Sequence, residues 1–205
     1  MGFYANVIIP ILFDKVMDIE PINQARREYL KEVSGKVLEI GFGTGLNLAF
    51  YPENIEKIIT LDTNTGLDRK AKKRIEESRI EVDNRILNAE TLPFENDEFD
   101  SVVSAMTLCS IKNIDSALRE VHRVLKPGGK FFFMDHGISS EPKIRKWQKF
   151  WNPVQKIIGD GCHLTREIRE LIETSGLKMD SFRNYYMDEV PKTHGFIYQG
   201  IAIKK

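Results

Sequence analysis

"VLEIGFGTG", residues 37–45, runs a short apolar stretch into glycines at 41, 43 and 45. An apolar run ending at glycine ("KVLEIG", 36–41) reads as a buried parallel strand. The loop after it lets the backbone approach a ligand closely, because a Cβ there would collide. A dinucleotide fingerprint, G-x-G-x-x-G, needs its third glycine at position 46, which is Leu46. The spacing is instead G-x-G-x-G. A pyrophosphate demands an open helix N-terminus; this tighter loop suits a nucleoside carrying an amino-acid tail. A plain tight strand–helix turn is the alternative.

Outward from this loop, apolar runs and helical periods alternate. "IEKIITLD" (55–62) is a second strand ending at an acid, and the charged "LDRKAKKRIEESR" (67–79) follows it as a helix. "IEVDNRIL" (80–87) and "EFDSVVSAM" (98–106) read as strands three and four. "NIDSALREVHRVLK" (113–126) places apolar residues at helical spacing, "PGG" (127–129) stops it, and "KFFFMDH" (130–136) is a fifth strand. Strands alternating with helices imply βαβ units and a doubly wound, mostly parallel sheet. Ligands in such sheets sit at the carboxyl ends of the strands. Gly41 to Gly45, Asp62, Asn88 to Glu90, Ala105 to Leu108 and Asp135–His136 should therefore converge.

Composition narrows the function classes. The chain has 205 residues, with 30 Lys+Arg against 30 Asp+Glu, so no global charge draws it to nucleic acid or anionic lipid. Two cysteines and four dispersed histidines lack the paired spacing of a structural zinc site, so no metal is expected, and a reducing cytoplasm is the simpler compartment. The apolar run Val7 to Phe13 contains Pro10 and is too short to span a bilayer; it reads as a lid or docking helix, with weak membrane-surface contact the alternative. No repeat or low-complexity tract divides the chain, so 1–205 is read as one domain acting as a monomer or homodimer.

Asp62 ends the second strand, where a carboxylate can accept both hydroxyls of a ribose; capping the next helix is its other reading. Asn88, with a backbone N–H near Ala89, could read an adenine edge, or simply form a turn. "VLEIGFGTG", "LD" at 61–62, "NAETLPFENDEFDSVVS" (88–104) and "LREVHRVLKPGGKFFFMDH" (118–136) together resemble the class I S-adenosylmethionine-dependent methyltransferases, in their methyltransferase-11 branch. The resemblance implies a Rossmann-like seven-stranded α/β sheet that is mostly parallel and ends in an antiparallel hairpin, built from "LKMDSFRNYY" and "GFIYQGIAIK". It also implies a cofactor set of Glu39, Gly41, Gly43, Gly45, Asp62, Thr63, Asn88, Ala89, Glu90 and Ala105, with Tyr4 as a lid. Asn88 stands where that family usually has Asp, and Phe42 replaces its common cysteine. The implied layout is N-terminal helices over 1–34, a cofactor core over 35–136, inserted helices around an acceptor pocket over 137–175, and a hairpin over 176–205.

"LCSIKN" (108–113), "WQKFWNPVQKIIGDGCHLTRE" (147–167) and "HGFIYQGIAIKK" (194–205) extend the likeness to the methyltransferase-like 7 branch, associated with methylation of small alkyl thiols. Its animal members carry an N-terminal membrane anchor, which this sequence does not show. Within "GDGCHLTRE", Cys162 and His163 are sequence neighbours whose side chains usually diverge, and methyl transfer needs no enzyme nucleophile. They read as pocket wall, after a sharp "GDG" turn and before a helix "TREIRELIET" with Thr165 as N-cap and Glu167 near capping-box position. Leu108, Trp147, Trp151, Cys162 and His194 are the acceptor-site candidates, with Trp147, Phe150 and Trp151 turned to the active site and the lysines of 141–156 in water; nucleic-acid binding by that segment is the lesser reading. His136 is the first candidate base, a histidine at this place being a feature of the branch; Asp135 and His163 could orient or substitute. "SAMTLCS" (104–110) stands where enzymes methylating nucleic-acid or glutamine amide nitrogens carry Asn-Pro-Pro-Tyr. The expected reaction is methyl transfer to a small apolar acceptor, thiols first. Its rivals are O- or C-methylation of a quinone-like or lipid precursor, and a non-catalytic cofactor-binding regulator.

Overall fold

The structure is a computed structural model that describes residue 14, residues 17–63 and residues 68–205. The chain runs α1 (Glu20–Leu30), β1 (Val37–Ile40), a 3₁₀ turn (Leu46–Phe50), β2 (Lys57–Asp62), α2 (Asp68–Glu77) and β3 (Glu81–Ile86). It continues through β4 (Phe99–Ala105), α3 (Ile114–Val124), β5 (Leu125–His136), α4 (Pro142–Ile158), α5 (Ile168–Thr174), β6 (Lys178–Tyr186) and β7 (Phe196–Ile203). One seven-stranded sheet has the order β3-β2-β1-β4-β5-β7-β6. Its first five strands are parallel, and β7 runs antiparallel to both neighbours. The strand order reverses between β1 and β4, which is where a doubly wound sheet opens a ligand crevice.

Alternation along β5 explains the two-sided core. Phe131 and Phe133 pack with Leu38, Val102, Leu118, Val121, Ile168 and Ile172 on one face. Phe132 and Met134 pack with Tyr29, Leu30, Val37 and Val103 on the other. Because helices cover both faces, the central strands are apolar at most positions, which is why they read as near-continuous runs. β3 lies at the edge and none of its side chains is buried.

Two local expectations are corrected. The helix after strand four ends at Val124, and "PGG" lies inside β5 instead of before it. Leu125 pairs with Phe99 and the register then shifts. Gly128, at φ +79°, accommodates this irregularity, and its N–H donates to Lys204 O across the adjoining edge (2.8 Å). Second, α5 begins at Ile168, so Glu167 rather than Thr165 stands at the N-cap, and its side chain makes no capping hydrogen bond. Tertiary hydrogen bonds claim these residues first: the Arg166 guanidinium donates to Leu108 O and Ile111 O, Ile138 N donates to Arg166 O, and the Glu167 carboxylate accepts from the Tyr198 hydroxyl. The "GDG" turn is present, with Asp160 and Gly161 both at positive φ. Tyr4 and the apolar run 7–13 lie outside the described residues, among which no helix is long and apolar enough to cross a membrane.

Candidate active site

β1 delivers the chain to Gly41, whose N–H, with that of Phe42, donates to Leu61 O of β2 (2.8 and 3.0 Å). The loop then turns through Gly41, Gly43 and Gly45 at φ +77°, +57° and +78°. The glycines are not equivalent. A Cβ on Gly41 would sit 1.9 Å from Thr107 Oγ1, whereas one on Gly43 would meet no atom of the described residues within 4 Å. Gly43 therefore stands beside open space. Its N–H donates to Asp62 Oδ2 at the end of β2 (2.8 Å), which sets that carboxylate against the loop. Thr63 is exposed just beyond it.

Glu39 lies beneath the loop and faces inward. Its carboxylate accepts from Asn47 Nδ2 (2.7 Å) and the Tyr51 hydroxyl (2.8 Å), while buried Arg26 donates to Asn47 Oδ1 (3.0 Å). Glu39 thus shapes the cradle from below. Burial pushes its pKa up to about 7, against the hydrogen bonds from Tyr51 and Asn47 and the Arg26 charge, which favour the carboxylate. The sign follows: between about 4.5 and about 7 the folded protein holds a proton that the unfolded chain releases. This residue's contribution to stability therefore falls as pH rises through that window. Glu39→Gln should flatten that part of the pH–Tm curve, as thermal melts across the window would show; an unchanged slope would mean the carboxylate is already ionised there.

The outer side of the loop is clamped by residues that the sequence did not mark. Asp14 accepts from Thr44 Oγ1 (2.5 Å), Lys70 Nζ (2.6 Å) and Arg74 Nη1 (2.7 Å), and Arg74 also donates to Thr44 O (2.9 Å). Burial would raise the Asp14 carboxyl, but hydrogen bonds from Arg74, Lys70 and Thr44 hold it well below the usual range. In sequence Lys70 and Arg74 look like an ordinary solvated helix face, and their i, i+4 spacing was the sole available signal. At the far end of the cleft, Asn88 forms a turn, its Oδ1 accepting from Glu90 N (3.0 Å). Glu90 in turn accepts from Asn113 N at the start of α3 (2.9 Å), and Ala89 is buried.

β4 and β5 end together in a buried polar corner. Ala105 is partly exposed, and Thr107 Oγ1 lies 3.5 Å from Gly41 O, joining this corner to the glycine loop. Leu108 is fully packed, Asp135 Oδ2 accepts from Cys109 N (3.3 Å), and His163 N donates to Cys109 O (2.9 Å). Cys109 Sγ, His136 and Cys162 Sγ bring their donor atoms within 4.8 Å of one another, the closest pair being His136 Nε2 and Cys162 Sγ at 3.0 Å. Ligand-type residues 26 and 27 positions apart thus meet although no spacing motif links them. Contact with Cys109 and burial hold the Cys162 thiol far above its ordinary pKa, so it is not a nucleophile near neutrality. Burial pulls the His136 pKa down, but the hydrogen bond to Cys162 and the charge of Asp135 outweigh it, and the net shift is upward. Burial raises Asp135 in turn. His136 Nδ1 and Asp135 Oδ1 are buried with no hydrogen-bond partner among the described residues.

The remaining candidates stand apart from this corner or are already engaged. His194 uses both ring nitrogens, against Thr193 Oγ1 (2.9 Å) and Gln155 Oε1 (3.1 Å). Burial, then Arg166 and Lys156, lowers the partly exposed His163. Trp147 and Trp151 are half-exposed on the outward side of α4 and build no closed wall. α4 faces the domain with polar side chains: Gln148 is its one buried residue, accepting from Ser139 N and donating to Gly137 O and Thr193 O.

The fold, the glycine cradle and the carboxylate set against it define a class I methyltransferase. The Methyltransferase domain family matches residues 38–133. Human thiol S-methyltransferase TMT1A is 37% identical over 183 residues, covering 83% of this chain and 72% of that protein. Rat thiol S-methyltransferase TMT1B is 40% identical over 152 residues, covering 70% of this chain and 61% of that protein. A SAM-dependent methyltransferase structure from Methanosarcina mazei shares the fold at TM-score 0.67 and 22% identity, with 91% of this chain and 98% of that one covered. The chain belongs to the S-adenosylmethionine-dependent methyltransferases, in the group that includes the thiol S-methyltransferases TMT1A and TMT1B. It spans about three fifths of TMT1B and 72% of TMT1A.

Proposed function

We propose that this protein transfers the methyl group of S-adenosylmethionine to a small, apolar thiol, with S-adenosylhomocysteine as the other product. Among the described residues, three observations support the fit of this cofactor: open space beside Gly43, the Asp62 carboxylate against the loop, and buried polar atoms without hydrogen-bond partners at the adjoining corner. When bound, the cofactor supplies an electrophilic methyl on a sulfonium. Gly43 lets the backbone approach it, Gly41 and Gly45 supply the tight turns on either side, Asp62 offers its carboxylate to the ribose, and Ala89 and Glu90 border the adenine end. Ala105 lies on the same strand edge, and Thr63 flanks Asp62.

The observation that carries the acceptor reading is the corner itself. Leu108, Cys109 and Cys162 are buried there with His136, whose Nδ1 has no hydrogen-bond partner among the described residues. An apolar thiol suits such a place: its carbon chain replaces water against apolar atoms, and its S–H can donate to that nitrogen. A thiol of pKa about 8.5 requires only modest help, so His136 would accept its proton while Leu108, Cys109 and Cys162 would position the sulfur. The hydrogen bond to Cys162 orients the imidazole, and the charge of Asp135 favours its protonated form. Two buried free cysteines suit a reducing, cytoplasmic compartment.

The test is S-adenosylhomocysteine production by purified protein with a panel of alkyl thiols, quinols and head-group amines. Turnover with a thiol and none with its S-methylated form is the expected result. Turnover confined to a quinol would overturn the acceptor assignment. Silence across the panel with tight cofactor binding would move the protein to the non-catalytic reading.

A further inference from the structure

α4 is built inside out. Its inward side carries Gln148, Asn152 and Gln155, which hydrogen-bond Ser139 N, Leu164 N and His194 respectively. Its outward side carries Trp147 (49% exposed), Phe150 (68%), Trp151 (46%), Val154 (44%), Ile157 (83%) and Ile158 (63%). These are six of the seven large apolar side chains exposed among the described residues. At 100° per residue they fall within a single stripe about 120° wide. Phe150 contacts Trp147 and Trp151 edge-on, with ring centroids 6.0 and 5.5 Å apart, so the stripe is a continuous apolar patch. Contiguous exposed apolar surface of this kind marks a contact site.

Charge on the same helix selects the occupant. Residues 142–158 contain Lys143, Arg145, Lys146, Lys149 and Lys156 and no acid, and all five basic residues are exposed. By the same helical count Lys143 lies within the apolar stripe and Lys146 beside it, whereas Arg145, Lys149 and Lys156 fall on the far side of the helix. Pairing this face with its copy in a second molecule would bring like charges together. A nucleic acid would use the lysines and the rings but has no use for Val154, Ile157 and Ile158. An anionic lipid surface uses both the stripe and the lysines in and beside it: aliphatic and phenyl groups enter the acyl boundary, indoles sit at the head-group level, and Lys143 and Lys146 meet phosphate. We propose that the outward face of α4 is a peripheral docking site for anionic membranes. The polar inner face leaves the apolar stripe free for lipid while holding α4 on the domain. The arrangement would bring the domain to the phase where apolar small molecules concentrate.

The chain contains two tryptophans, both in this helix, so intrinsic fluorescence reports on the face directly. The experiment adds vesicles of phosphatidylcholine, with and without phosphatidylserine, to the full chain and follows emission and co-sedimentation. A blue shift and binding with the anionic vesicles are expected, weakened by salt and much weaker without phosphatidylserine. Ile157→Glu/Ile158→Glu should lower binding at least about tenfold while cofactor binding, measured calorimetrically, stays unchanged as evidence of folding. Any of four results would overturn the proposal: no binding to either vesicle, binding untouched in the double variant, emission already that of buried indole in the lipid-free monomer, or concentration-dependent dimerisation that protects the tryptophans. Quenching by a single-stranded oligonucleotide without any response to vesicles would reassign the face to nucleic acid.

Discussion

Gly41→Ala should leave little folded protein, whereas Gly43→Ala should fold, melt a few degrees lower and lose its cofactor. Both positions have positive φ, where an L side chain costs about 1–2 kcal/mol. For Gly43 that is the whole structural cost, because a Cβ there meets no atom of the described residues. In a chain of this size it lowers Tm by roughly 2–8 °C. The new methyl group instead occupies the space in which the cofactor would approach. For Gly41 the Cβ would lie 1.9 Å from Thr107 Oγ1 and 2.6 Å from Thr107 Cβ. Rotating the threonine moves its Oγ1 but leaves its Cβ in place, so the end of β4 would have to shift. Thr107→Gly, which removes the colliding atoms, should partly restore the Gly41→Ala protein. Thermal melts with and without S-adenosylmethionine, together with calorimetric titration, separate the two effects. Native cofactor affinity in Gly43→Ala would show that the loop is not the cradle.

His136→Ala should cost at least about 100-fold in kcat/KM with a thiol of ordinary acidity, the range in which a positioned base acts. The pH profile is the sharper readout. His136 works only as the neutral imidazole, and its pKa is raised by the Cys162 hydrogen bond and the Asp135 charge against burial and the Arg166 charge. His194, from the loop before β7, is the other titratable neighbour, and burial, then the His136 charge, lowers it. The rate should therefore climb with pH and level only above the usual imidazole range. In the variant this limb should vanish, leaving ionisation of the acceptor thiol. More acidic thiols should then lose less, because they need less help. An equal loss for all thiols with an unchanged profile would reduce His136 to a structural residue.

The order of elements was legible because a doubly wound sheet demands it locally. Strands buried on both faces must be apolar throughout, and they end at the glycine, acid or small residue that the ligand edge needs. For the same reason Gly41, Gly43, Gly45 and Asp62 could be read from spacing alone, and the structure puts them side by side. The supports of that loop were not legible. Arg26 and Asn47 meet across 21 positions, and Asp14 and Arg74 across 60, with no periodicity to betray either pair.

The strand order and the glycine loop follow from short-range pattern and the steric freedom of glycine, and the cofactor class from the resemblance that these motifs carry together. Only the tertiary structure decided which way α4 faces. Aromatic and aliphatic side chains there would ordinarily be assigned to the interior. The loops beneath the helix present the bare backbone groups Ser139 N, Gly137 O and Thr193 O, and all three are satisfied by Gln148. With the apolar stripe turned inward those groups would be buried unpaired, at a cost of about 1–3 kcal/mol each. It likewise took the packed chain to gather Cys109, His136 and Cys162, because proximity in a core depends on how whole strands and turns stack, not on the distance between residues along the chain.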